Sequence, residues 1–195
     1  MYVKFISISN NLLYFNILNA KIFSNLHLKN TNMAYPASVI AFAFVNKAIE
    51  EGNPITQMKL QKILYFAQGV HLALNDKDHP LIKETFQAWK YGPVIPEIYR
   101  EYKFYGSAPI TDTTLITLFH GDIYEKMVEE LDEKAKKTIE ITWQNTKEID
   151  GLKLSNWTHS VDSPWHKHYK EGVTDLPIPN EDIYDYFSKF MEKSA

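Results

Sequence analysis

The side chains in this sequence that could act as acids, bases or metal ligands are concentrated in one short C-terminal segment. Three histidines, His159, His166 and His168, lie near Asp162 there. Their functional interpretation is a metal site or an acid–base cluster. Against this, Pro164 breaks the helix that would bring the histidines together, and the sequence has no His-Glu-x-x-His motif. The favoured interpretation is structural, with the His159 ring bonded to a buried backbone carbonyl.

Other catalytic patterns are missing from the sequence. There is no cysteine, which excludes disulfides, thiol catalysis and cysteine-ligated metal sites and fits a reducing cytoplasm. There is no Gly-x-Ser-x-Gly elbow, P-loop or Gly-x-Gly-x-x-Gly stretch, and the seven glycines offer little for phosphate-binding loops. We therefore predict a cytoplasmic protein without catalytic residues, metal or cofactor.

The charge distribution indicates which partners the chain suits. The net charge is −3, but residues 1–32 carry three lysines and no acidic residue, which leaves −6 for residues 33–195. Phosphate backbones are bound by clustered lysine and arginine, so a nucleic-acid partner is not expected and a basic protein suits the domain better. Lys59, Gln61 and Lys62 could face nucleic acid, but the acidic balance favours a solvated helix face.

The first 32 residues differ from the rest in composition. They contain seven asparagines, no glycine or proline and no sustained periodicity. Three interpretations stay open: translated AT-rich DNA upstream of a natural start at Met33, which is favoured, an accessory helix, or a signal peptide. We expect residues 1–32 to be a dispensable leader or disordered extension and residues 33–195 to form one domain. No run of 18 apolar residues is present, so no membrane-spanning helix is predicted.

Two helices are predicted at the start of the domain. Apolar residues recur at helical spacing after Pro36, and Gly52 follows the end of this first helix. The second helix begins after Thr56, whose hydroxyl can accept from backbone N–H groups of the first turn. Its apolar stripe leaves Lys59 and Lys62 on the opposite side.

Residues 84–105 combine a predicted turn with many aromatic side chains. Residues 86–89 alternate in polarity like a strand, Tyr91-Gly92-Pro93 predicts a rigid corner, and a helix opened by Pro93 and Pro96 should stop at Gly106. Five tryptophan and tyrosine residues within 17 positions cannot all face inward from one strand and one helix: Trp89, Tyr91, Tyr99, Tyr102 and Tyr105.

Aromatic residues most often fill the core, but tyrosine, tryptophan and arginine also dominate binding hot spots. We therefore expect part of this stretch to form an exposed interaction surface. The candidate partner-binding residues are Trp89, Tyr91, Val94, Tyr99, Arg100 and Tyr102.

Further elements complete a mainly α (α+β) prediction, a compact helical domain with one small antiparallel β element. Residues 109–114 are a possible partner strand, and residues 122–148 read as one charged helix with Ile139 and Trp143 facing inward. Asn180 can cap a terminal helix.

Three blocks of the sequence, in order and spacing, resemble the Panacea domain, the family of SocA-like antitoxins and GepA-type phage-associated proteins. The blocks are residues 56–68, 84–105 and 157–165. The motif residues that carry the resemblance are Thr56, Lys59, Lys62, Tyr65, Gly92, Pro93, Trp157, Thr158, His159 and Trp165.

The resemblance implies a non-enzymatic antitoxin, linked to a phage or prophage, that neutralises a cognate toxin by direct protein–protein binding. It implies a toxin encoded by an adjacent gene and no cofactor. No helix-turn-helix is recognisable, so the resemblance does not extend to autoregulation of an operon. Two alternatives stay open: an enzyme acting at His159, and an adaptor that delivers its partner to a protease.

Overall fold

Our computed structural model describes residues 34–120 and 122–191. These residues contain nine α-helices and a three-stranded antiparallel sheet. The prediction for residues 1–32 lies outside them. The predicted fold class, mainly α with a small β element, is confirmed. The elements are α1 (Ala37–Glu50), α2 (Gln57–Leu74), β1 (Phe86–Trp89), β2 (Gly92–Val94), α3 (Pro96–Tyr102), α4 (Thr114–His120), α5 (Ile123–Glu129), α6 (Glu133–Thr146), α7 (Gly151–Thr158), α8 (Pro164–His168), β3 (Pro177–Ile178) and α9 (Asn180–Met191).

The first two helices begin and end as the sequence predicts. Pro36, with its φ of −57°, immediately precedes α1, and Gly52 follows its end with a φ of +64°. The Thr56 hydroxyl accepts a hydrogen bond from the Lys59 backbone N–H at 3.2 Å, which satisfies one of the free donors at the start of α2.

Helix α2 lies at the centre of the domain, where it packs against α1, α6, α7 and α9. The prediction that Lys59 and Lys62 lie on a solvated face is wrong, because neighbours surround this helix and bury both side chains. The buried glutamines and the histidine of this helix have hydrogen-bond partners. The Gln68 amide, for example, donates to the Ile82 carbonyl at 3.3 Å and accepts from the Ile82 N–H at 2.9 Å.

The aromatic core lies between α2, α7 and α9. The Trp157 ring packs 4.5 Å from Phe66 and 5.5 Å from Phe187, between centroids. The Tyr65 ring meets Phe86 at 5.4 Å in an edge-on geometry. Helix α9 contributes four buried residues to this core: Ile183, Tyr186, Phe187 and Phe190. None of the helices within residues 34–120 and 122–191 is long and apolar enough to cross a membrane.

The sheet has the strand order β2-β1-β3, and its third strand differs from the prediction. Phe86 pairs with Ile178 of β3, whereas residues 109–114 form only an isolated bridge between Pro109 and Thr56. Pro93 lies within β2 rather than at a helix start, because the chain reverses at residues 90–91 and stays extended until α3 begins at Pro96.

The predicted charged helix over residues 122–148 is divided into α5 and α6. The Asp132 carboxylate accepts from the Ala135 N–H at 2.8 Å and caps a new helix start. Trp143 is fully buried and Ile139 is buried with 7% exposure, so the prediction that both belong to the core is confirmed.

Candidate functional site

Strands β1 and β2 form a hairpin that presents the most aromatic part of the chain. Residues 90–91 connect the strands, and Trp89 pairs with Gly92. Gly92 has a φ of +98°, a region that glycine enters without the steric cost of a side chain. A Cβ atom at Gly92 would lie 2.7 Å from the Thr158 Oγ1 and 2.9 Å from the Lys62 Nζ. The hairpin therefore sits directly on α2 and α7.

Polar side chains of α2 hold the hairpin and the residue that follows it. The Gln61 amide accepts from the Ile95 N–H at 2.9 Å and donates to the Ile95 carbonyl at 3.3 Å. The Lys62 ammonium donates to the Pro93 carbonyl at 3.0 Å. These contacts keep β2 in one position relative to α2.

Two further hydrogen bonds fix the turn from the C-terminal half of the domain. The Ser155 hydroxyl of α7 donates to the Tyr91 carbonyl at 2.9 Å, and the Trp165 indole of α8 donates to the Trp89 carbonyl at 2.8 Å. The structure thus brings the three sequence blocks together at the hairpin, although they lie far apart in the chain.

The two motif lysines are buried in different surroundings. Burial lowers the pKa of Lys62 to about 7. The Lys59 ammonium donates to the Lys147 carbonyl, and burial also lowers its pKa, against the attraction of Glu148 and Asp150. A buried ammonium needs polar partners, and in both residues a backbone carbonyl supplies one.

A groove of about 720 Å³ opens between α2, the hairpin, α3 and the segment after α8. Four aromatic side chains wall it: Trp89, Tyr91, Tyr99 and Tyr169. Tyr91 is 65% exposed and Tyr99 is 40% exposed. The remaining lining residues are Gln57, Met58, Gln61, Lys62, Lys90, Val94, Glu171, Gly172, Val173 and Thr174.

Four of the six predicted partner-binding residues line this groove, namely Trp89, Tyr91, Val94 and Tyr99. Arg100 lies outside the lining, where it is exposed and pairs with Glu97 at 3.2 Å. The inclusion of Tyr102 was wrong, because its side chain has no exposed surface. The expectation that part of this stretch is exposed is confirmed by Tyr91 and Tyr99, while their role in binding stays a prediction.

His159 has a structural environment that differs from the expected one. Its ring stacks on Trp165 with 3.8 Å between centroids, and its Nε2 is buried without a hydrogen-bond partner in the described part of the chain, so the expected bond to a backbone carbonyl is not formed there. Burial, followed by the charge of Lys62, lowers the pKa of His159. The ring therefore favours its neutral form.

The other histidines of the segment do not join His159. The His168 Nε2 lies 2.6 Å from an Asp182 oxygen on α9, and the His166 side chain is exposed. Within residues 34–120 and 122–191, no three His, Asp or Glu side chains are grouped so that they could hold a metal ion.

Sequence reasoning missed several lining residues of the groove. Gln57 and Gln61 precede the motif lysines on α2, and Gln57 donates to the Tyr99 carbonyl at 3.1 Å. Tyr169 stacks on Trp165 at 4.5 Å, one helical turn further along the chain. The spacing of Trp165 and Tyr169 was a usable signal, since residues four apart lie on one helix face.

Comparisons with known proteins agree with the arrangement of the three blocks. The family model described as antitoxin SocA-like, Panacea domain, matches residues 60–166. The chain is also 30% identical over 129 residues to a Caulobacter vibrioides (strain NA1000 / CB15N) protein named antitoxin SocA, which covers 66% of this chain and 68% of that relative. No solved structure matches the chain. These relationships support an antitoxin-type role, and they show that the chain belongs to the SocA-like antitoxin family with a Panacea domain.

Proposed function

We propose that this protein neutralises its cognate toxin by binding it directly, with the aromatic groove as the docking site. The groove itself is the observation that carries the proposal: exposed aromatic rings wall about 720 Å³ on a hairpin that α2, α7 and α8 hold in place. Tyrosine and tryptophan offer large contact areas with few rotatable bonds, and a fixed backbone lowers the entropy lost on binding.

The toxin interface extends beyond the groove onto α3. A standard interface buries about 1,600 Å² in total, which is more than one groove supplies. Tyr99 lies at the groove and the exposed Arg100 follows it directly on α3, so a partner seated on the hairpin also meets this helix. We also propose that the toxin is encoded by an adjacent gene of a phage-linked locus.

The proposed function requires affinity alone. The titratable motif groups beneath the hairpin already have structural contacts: Lys62 bonds Pro93, and the His159 ring packs on Trp165. Toxin neutralisation should therefore depend on the exposed side chains of the groove and not on one ionisable residue acting as a catalyst.

The test changes Tyr91, Tyr99 and Arg100 singly to alanine. Each variant is co-expressed with the product of the adjacent gene, scored for growth rescue, and measured for affinity by calorimetry. Phe104→Ala serves as the matched control, because Phe104 is an aromatic residue with 50% exposure that lies outside the groove. We expect replacement of either groove tyrosine by alanine to weaken binding by roughly tenfold or more, as hot-spot truncations do. Phe104→Ala should leave the affinity unchanged.

The folded state of each variant is checked by its unfolding temperature. Wild-type binding and rescue by all three folded variants would contradict the proposed docking site. Loss of rescue with retained binding would instead support an enzyme or a protease adaptor.

A further inference from the structure

The charged groups of the groove are unevenly distributed between its floor and its rim. Lys62 is the buried one, with 1% exposure, while Lys90 and Glu171 are exposed at the rim. The Lys62 ammonium has the Pro93 carbonyl as its hydrogen-bond partner. Among residues 34–120 and 122–191, no carboxylate lies within ion-pair distance of it.

An ammonium in this position lacks the counter-ion that burial favours. A lysine ammonium has three N–H donors, and Pro93 occupies one of them. Burial without a paired charge is costly, and this is why the pKa of Lys62 falls to about 7. The charged groups around it do not replace a counter-ion: His159 favours its neutral form, Lys59 and Lys90 are cationic, and Glu171 stays at the rim.

We propose that the groove receives an acidic side chain of the toxin, a glutamate or aspartate flanked by apolar residues, whose carboxylate pairs with Lys62. This inference rests on the proposed function and names the chemistry of its docking segment. The aromatic walls suit the flanking apolar residues, and a basic side chain would meet both Lys62 and Lys90.

This chemistry is opposite to what the overall charge indicates. Residues 33–195 carry −6, so at long range the domain attracts basic surfaces. Within the groove, the short-range contact of a partner's side chain with the desolvated Lys62 ammonium outweighs the screened long-range field of the net charge. A toxin that fits both conditions is basic overall and presents one acidic side chain among apolar neighbours.

Proton uptake on binding distinguishes this ion pair from a structural role of Lys62. The free protein has Lys62 partly neutral above pH 7, and a carboxylate beside it raises its pKa. Binding near neutral pH should therefore take up part of a proton, and affinity should weaken as the pH rises above the pKa of free Lys62. Calorimetry in two buffers of different ionisation enthalpy measures this uptake.

The first probes are two peptides with blocked ends, acetyl-Gly-Phe-Glu-Leu-Gly-amide and its glutamine counterpart. We expect the glutamate peptide to bind about tenfold more tightly and with proton uptake. Lys62→Met should remove both differences. Lys59→Met is the matched control, because Lys59 is a buried, carbonyl-bonded lysine on the same helix but outside the groove.

Each outcome of the test is decisive for this inference. Equal binding of the two peptides, no binding of either, or no proton uptake by the wild-type protein would overturn it, and none of these depends on a variant folding. If the toxin binds through Tyr91 and Tyr99 without proton uptake, the proposed function stands and the acidic anchor fails. If those tyrosines are dispensable for the toxin while the glutamate peptide binds through Lys62, the docking proposal fails and the acidic specificity of the groove stands.

Discussion

Replacement of Gly92 by alanine tests whether the hairpin depends on close contact with α2 and α7. The new Cβ would lie 2.7 Å from the Thr158 Oγ1 and 2.9 Å from both Cε and Nζ of Lys62. The Lys62 end of this contact is bonded to the Pro93 carbonyl at 3.0 Å, so moving it aside breaks that hydrogen bond. The backbone φ of +98° adds strain for any residue with a side chain.

The expected cost has two parts. An alanine at positive φ costs about 1–2 kcal/mol. Moving the Lys62 ammonium away from the Pro93 carbonyl leaves a buried charged donor unpaired, which costs about 1–3 kcal/mol more. We therefore expect Gly92→Ala to lower the free energy of unfolding by about 2–5 kcal/mol.

Gly52→Ala is the control that separates the two parts. Gly52 has a φ of +64° at the end of α1, but a Cβ there would meet no atom within 4 Å, so only the backbone strain remains. Urea denaturation followed by tryptophan fluorescence compares the two variants at equal m-values. If Gly92→Ala costs no more than Gly52→Ala, the packing of the hairpin on Lys62 and Thr158 is looser than described.

Three further outcomes are expected from changes elsewhere in the domain. Ile139→Ala should lower the free energy of unfolding by about 2–4 kcal/mol in urea denaturation, as truncations in a packed core do, and a loss under about 1 kcal/mol would contradict the core position. Burial lowers the pKa of His71, whose Nδ1 lies 2.8 Å from the Thr138 hydroxyl, to about 4. The unfolded state binds the proton at a higher pH than the folded state, so stability should fall by about 3 kcal/mol from pH 7 to pH 4. If a His71→Gln variant shows the same pH profile of stability as the wild-type protein, His71 is not the group responsible. His159→Ala should lower the unfolding temperature through lost stacking on Trp165, and added zinc should leave that of the wild-type protein unchanged; stabilisation by stoichiometric zinc would reveal a metal site.

Local signals in the sequence predicted the parts of the fold that depend on neighbouring residues. Pro36, Gly52 and Thr56 marked the ends of α1 and α2 because capping and φ preferences act within one turn. The Asp132 cap was a signal of the same kind and was overlooked within a charged stretch. The burial of Tyr102 could also have been predicted, since Tyr102 lies four residues after the buried Ile98 and therefore on the same face of α3.

The burial of Lys62 could not be read from α2 alone. Periodicity assigns a lysine to solvent, whereas its position here depends on a hairpin about thirty residues later in the chain. The third strand is a similar case, because residues 177–178 pair with β1 across most of the domain. The groove depends on both of these long-range contacts, so the sequence identified four of its residues without predicting the cavity itself.

The hydrogen bonds along the free edge of β2 determine how this sheet can meet another chain. An edge strand usually offers unpaired N–H and C=O groups, which invite strand addition and aggregation. Here the proline at position 93 has no N–H, its carbonyl is taken by Lys62, and both polar groups of Ile95 are taken by Gln61. Helix α2 thus satisfies this edge as a neighbouring strand would, but with the Gln61 amide and the Lys62 ammonium in place of backbone groups. A protein that docks on this hairpin must therefore recognise its side chains, and the sheet cannot polymerise through this edge.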